Sequence, residues 1–130
     1  MTTDLTMLVW SAVLCVVLAL PYTLGMIGRV GLAKMAGNRH DVPEPEGWMA
    51  RGKRAHYNMI ENLAPFAALV LVAHVTGAAS PTSALGAQLF FWGRVGHAVT
   101  YIAGIPWART AAFAVSVVGM AMVLVAILAK

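Results

Sequence analysis

Two groups of polar residues stand inside otherwise apolar sequence, and both are built around arginine. In the first, Arg54, Asn58 and Glu61 follow at i, i+4 and i+7, with Pro65 continuing the line and Arg51 on nearly the same face. Residues so spaced share one side of an α-helix, which turns His56 and Tyr57 elsewhere. In the second, Arg94, His97 and Tyr101 fall at i, i+3 and i+7, again one face. Guanidinium groups present a planar fork of donors suited to carboxylates. Several of them beside one carboxylate, Glu61, form a layer that attracts an anion.

The surroundings of these residues are lipid-like. The chain has 130 residues, 60% of them hydrophobic and 11% charged, with a mean hydropathy of +0.77. A soluble domain is about one-quarter charged and half apolar. So short a chain cannot hide this much apolar surface in a water-soluble core. A soluble enzyme, a disordered tail and a disulfide scaffold are thereby excluded; the single cysteine, Cys15, lies inside an apolar run. The net charge of +4 comes from basic residues clustered in one polar loop. Orientation in a membrane explains that cluster better than a nucleic-acid partner. No metal site is assigned.

The sequence predicts an all-α integral membrane protein, one membrane domain over residues 1–130. A span needs about 20 mostly apolar residues. The first runs from Leu5 to Ile27; it is read as a retained helix, because MTTD carries no base and the run exceeds a signal core of about 7–15 residues. The second runs from Met59 to Val75, with a helical extension on the cytoplasmic side from about Glu46, after Pro43 and Pro45. The third covers about Ala84 to Ala103 and the fourth about Thr110 to Leu128, with Pro106 in the turn between them. Arg29, Lys34, Arg39, Arg51, Lys53 and Arg54 lie between spans one and two, whereas the loop from Gly77 to Ser83 has no charge. The first loop is therefore cytoplasmic and both termini face the other side. Short turns give an up-down four-helix bundle. Gly96, Thr100 and Gly104, each four residues apart, form a stripe that permits close helix contact.

Depth then brings the polar groups together. Arg94 lies about 15 Å from either end of its span. A cation there faces the bundle interior, where charged groups mark function by default. The second span ascends from the cytoplasm and the third descends to it, so Arg54, Asn58, Glu61, His97 and Tyr101 share the inner half with Arg94. Arg109 opens the fourth helix and Arg29 closes the first at the same face. The layer from Arg94 to Arg109 is about 10–15 Å deep, and an extended tripeptide covers about 10 Å. Plainer roles stand beside these. Arg94 and Glu61 would lock the bundle as a pair, Arg54 would snorkel to lipid phosphates, and Arg109 would serve as an orientation charge.

Arg54-Ala55-His56, Asn58, Glu61-Asn62 and Pro65-Phe66 resemble the signature of the MAPEG superfamily, the membrane-associated proteins in eicosanoid and glutathione metabolism. Arg94, His97, Tyr101, Ile105-Pro106 and Arg109 resemble that family's third helix and following turn, so the likeness covers nearly the whole chain. It implies a homotrimer of four-helix protomers, of the bacterial microsomal glutathione transferase type, that binds glutathione between subunits near the cytoplasmic side. It implies that Arg54, Asn58, Glu61, Arg94, His97 and Tyr101 hold glutathione and that Arg109 is the catalytic residue, stabilising the thiolate. Arg51, His56, Asp41, Thr110 and Arg29 are further candidates; Thr110 stands where some relatives have serine, and Asp41 roughly where the prostaglandin-synthase branch has an aspartate. Tyr57 replaces an arginine of that branch. The implied activity is a membrane glutathione transferase, with or without peroxidase activity, attacking lipophilic electrophiles from the bilayer. It would serve detoxification, in the inner membrane if the source is bacterial. Two readings compete: a small four-helix multidrug-type transporter, and a non-catalytic protein binding a thiol or an anionic lipid. Such transporters centre on an acid in the first span, and Leu5 to Ile27 has none.

Overall fold

The computed structural model describes residues 1–130 as five helices and no strand: α1 (Thr3–Val30), the short α2 (Leu32–Ala36), α3 (Gly47–Val75), α4 (Pro81–Ala103) and α5 (Pro106–Leu128). Local chemistry sets their ends. Thr2 caps α1, its hydroxyl accepting from the Leu5 amide at 3.3 Å. Ser80 and Ser83 form a reciprocal capping box at the start of α4, with Pro81 in its first turn. The turns on either side of α4 share one solution. Gly77 and Gly104 adopt positive φ (67° and 80°). In each, the glycine amide bonds three residues back and the next amide five back: Gly77 to His74 and Ala78 to Ala73, Gly104 to Tyr101 and Ile105 to Thr100. This paired arrangement ends a helix within two residues and reverses the chain.

The long helices pack as antiparallel neighbours in chain order. Tyr22 meets Gly52 and His56 across α1 and α3; Arg51 meets Ile102, and Phe66 meets Phe90, across α3 and α4; Gly86 meets Gly119, and Gly93 meets Ser116, across α4 and α5. α3 and α4 each touch the other three long helices, and α4 packs most extensively against α5. The composition of α4 differs from theirs. α1, α3 and α5 are each long and apolar enough to cross a membrane, whereas α4 is not among them. Gln88, Arg94, His97 and three glycines dilute its apolar character, yet α4 equals α5 at 23 residues. Arg94 and His97 are buried between α4 and its neighbours, where polar side chains find partners, whereas Gln88 stands on the exposed face with Leu85, Trp92 and Val99. On α1, Val9, Trp10, Val13, Val16, Val17, Leu20 and Leu24 are all exposed. α1 and α3, of 28 and 29 residues, are about 42 Å long, beyond the ~30 Å of a bilayer core.

The closest part of the seam between α4 and α5 lies beyond the stripe of Gly96, Thr100 and Gly104. A Cβ on Gly96 would meet only the Ala112 methyl, at an ordinary 3.5 Å. The backbones instead touch at Gly86, Gly93 and Gly119: a Cβ on Gly86 would come within 2.6 Å of the Gly119 carbonyl, and one on Gly93 within 2.8 Å of the Ser116 amide. Periodicity alone did not single out the face that α5 covers. Gly119→Leu should therefore lower the melting temperature in detergent, by the equivalent of at least about 1–3 kcal/mol for overpacking. Gly28→Ala, with nothing within 4 Å of the added methyl, should leave it unchanged or raise it. A Gly119→Leu protein as stable as wild type would refute this seam.

Candidate functional site

Arg94 organises the site. It is 1% exposed, two turns from the end of α4. Its Nη2 donates to Asn58 Oδ1 of α3 at 2.6 Å and lies 3.3 Å from His97 Nδ1, one turn on. A guanidinium has no acceptor, so Nδ1 must accept and the ring proton sits on Nε2. The remaining donors, Nε and Nη1, are buried without a partner. A buried donor left unmade carries a full desolvation penalty, so these groups favour an acceptor arriving from outside.

Glu61 is not that acceptor. The ion pairs of the chain are Lys53–Glu44 at 3.3 Å and Arg29–Glu46 at 3.7 Å, and Glu61 takes part in neither. The expected lock between Arg94 and Glu61 is thus replaced by Arg94 and Asn58. The reason lies in register. The α3–α4 alignment that stacks Phe66 on Phe90 (3.8 Å between ring centroids) sets Asn58 level with Arg94. Glu61 lies three residues on, exposed on the cleft side.

Two open clefts meet along Asn58 and Tyr101. The larger, of about 540 Å³, is lined by Glu44, Lys53, Arg54, Tyr57, Glu61 and Tyr101, among others. The smaller, of about 260 Å³, is lined by Asn58, His97, Tyr101, Arg109, Thr110 and Phe113. Tyr101 is the shared wall. The Arg109 guanidinium lies 4.5 Å from its ring centre and that of Arg54 6.0 Å, both within cation–π range. The Gly104 turn brings Arg109 there, since it returns the chain immediately after Tyr101. His97 packs edge-on against Tyr101 at 5.3 Å. Arg54, Asn58, Arg94, His97, Tyr101 and Arg109 thus form one connected group, with Glu61 on the larger cleft.

The further candidates separate. Thr110 lines the smaller cleft, its hydroxyl bonded to the Pro106 carbonyl at 3.1 Å. Arg51 turns away: its Nε donates to the Ile102 carbonyl at 3.0 Å, tying α3 to the end of α4. His56 Nδ1 is 2.9 Å from the Tyr22 hydroxyl, between α3 and α1. Arg29 pairs with Glu46, and Asp41 lies in the connecting segment beside Asn38 and His40. Sequence reasoning missed Lys53, Tyr57 and Glu44. A single helical stripe was too narrow a template: positions 50, 53, 54, 57, 58 and 61 all line the larger cleft. Adding the i+3 neighbours of Ala50 and Arg54 to the pattern would have recovered Lys53 and Tyr57.

The bond to Asn58 carries a prediction. Asn58→Leu removes the closest acceptor of a buried cation and should cost about 1.5–3 kcal/mol of stability, the scale of a hydrogen bond to a charged group. Glu61→Gln should leave the melting temperature unchanged. The reverse order, measured by thermal unfolding in detergent, would restore the Arg94–Glu61 lock.

No curated protein and no solved structure matches the chain. The MAPEG family model, in contrast, matches residues 7–129. That stretch runs from the first turns of α1 to the end of α5, through both arginine-bearing segments and the cleft between them, and so the chain belongs to the MAPEG family.

Proposed function

We propose that this protein is a membrane-bound glutathione-dependent transferase acting on hydrophobic electrophiles, with α4 crossing the bilayer beside α5 and the first loop in the cytoplasm. The observation that carries the reading is the placing of Arg54 and Arg109 around Tyr101, beside a buried Arg94 with two unmade donors. Glutathione has two carboxylates and one ammonium group. The residues present fit that charge pattern: guanidinium groups on both clefts for the carboxylates, and the unpaired Glu61 for the ammonium. Membership of a family tied to glutathione and eicosanoid metabolism supports the same ligand. The working unit is taken as a homotrimer, as the resemblance implies.

Glutathione supplies the sulfur nucleophile. The chain's part is to hold the tripeptide and favour its ionised thiol. A thiol of ordinary pKa near 8.5 is mostly protonated at neutral pH, and the thiolate is the reactive form. Arg109 is assigned the role of stabilising that charge. It is half-buried at the start of α5, where screening by water is reduced. Asn58, Arg94 and His97 fix one another and so hold the floor of the site in place. Electrophiles dissolved in the bilayer would approach from the lipid side.

A transporter centred on an embedded acid fits less well. Glu61 stands on α3 among cations, which repel cationic drugs. The test separates binding from reactivity. Arg109→Ala should lower turnover with an aryl halide at least tenfold, about 1.4 kcal/mol in the barrier. Its dissociation constant for glutathione, from calorimetry, should stay within a few-fold of wild type. Turnover equal to wild type would remove Arg109 from the chemistry and leave it an orientation charge.

A further inference from the structure

Lys53 sits on the wall of the larger cleft, one residue before Arg54, and two contacts fix its ammonium group. It lies 5.6 Å from the centre of the Tyr57 ring, one turn on, and 3.3 Å from Glu44 Oε2. Glu44 belongs to the segment that joins α2 to α3, and it lines the same cleft. Glu44, Pro45, Lys53 and Tyr57 also line a neighbouring cleft of about 250 Å³ on the α1 side. The pair therefore stands at the edge shared by two cavities.

A carboxylate held against a cation on the wall of an anion-binding cleft occupies the place a ligand carboxylate would take. The two partners differ in how firmly they are held. The Lys53 side chain is 32% exposed and rests on Tyr57, whereas that of Glu44 is 87% exposed, and this pair is the one ion pair it makes. Exposed pairs of this kind are weak, so an incoming carboxylate can displace Glu44 without disturbing Lys53. The pattern is that of a competitor carried by the chain itself.

We infer that Lys53 is an additional carboxylate-binding residue of the cleft and that Glu44 is an intramolecular competitor for it, released when the ligand binds. The inference rests on the glutathione reading and deepens it. When the tripeptide enters, the Lys53 ammonium exchanges the Glu44 carboxylate for one of the ligand's, and Glu44 returns to water. Tyr57 is a positioning residue that keeps the ammonium on the cleft wall. Affinity is thereby set below what the cationic cleft would otherwise give.

The experiment measures glutathione affinity by calorimetry on the full chain in detergent, for wild type, Glu44→Gln, Lys53→Gln and the double variant. Glu44→Gln should tighten binding about threefold, the scale of one exposed ion pair. Lys53→Gln should weaken it, and in that background Glu44→Gln should have no further effect. Glu46→Gln removes the same charge from the same segment, but its carboxylate pairs with Arg29 outside the cleft; it should leave affinity unchanged. Equal tightening by Glu46→Gln and Glu44→Gln, or an effect of Glu44→Gln that persists without Lys53, would reduce the result to general charge and overturn the inference. So would Glu44→Gln binding like wild type. Absence of glutathione binding by the wild-type chain would overturn the parent reading, and this one with it.

Discussion

A guanidinium group enclosed in an apolar helical bundle, without a carboxylate beside it, is the constraint on which the rest of this structure turns. Arg94 is held by the neutral oxygen of Asn58 and the ring nitrogen of His97. A neutral pair of acceptors leaves the cation uncompensated. Such a charge is costly unless something else offsets it, and two of its donor atoms, Nε and Nη1, have no partner in the bundle. The same bond aligns α3 with α4, because Asn58 reaches Arg94 only in the register that also stacks Phe66 on Phe90. The buried cation and the helix packing therefore share one interaction.

The two hairpin turns and the glycine seam serve that arrangement. α4 must be packed closely to carry a buried cation, and Gly86, Gly93 and Gly119 let α5 close against it. The left-handed glycine at position 104 ends α4 one turn after Tyr101 and starts α5 at Pro106. Arg109 then lies over the Tyr101 ring from one cleft while Arg54 approaches it from the other. Arg51, bonded to the Ile102 carbonyl, fastens this end of the bundle. Arg51, a candidate ligand contact by its spacing, thus has a structural partner and lines neither cleft.

Much of this was legible in the sequence because helix signals are local. Apolar runs, Gly77, Gly104 and Pro106 mark where helices lie and turn, and the i+3, i+4 and i+7 spacings group Arg54 with Asn58 and Arg94 with His97. Pairings between helices were not legible, since they depend on register. One step along α3 decides whether Asn58 or Glu61 meets Arg94, and no local pattern encodes it. The small-residue stripe named no partner for the same reason: Gly96 and Gly86 look alike until α5 is in place, and only then does Gly86 prove the tighter contact. α4 shows a different limit. Residues 84–103 are expected to form a span like the others, yet α4 is not among the helices apolar enough to cross a membrane. Its buried Arg94 and His97 make sense only once their neighbours are in place. Lys53, Tyr57 and Glu44 escaped because a cleft spans more of a helix than one narrow face.

The proposed binding of glutathione by this polar layer, with a shift toward its ionised thiol, is measured by titrating the purified protein with glutathione near neutral pH while following the ultraviolet absorbance of the thiolate. A saturable rise well above that of free glutathione at the same pH is expected, abolished when the thiol is methylated. Absorbance that grows only in proportion to added glutathione, equal to the free tripeptide at every concentration, would contradict it.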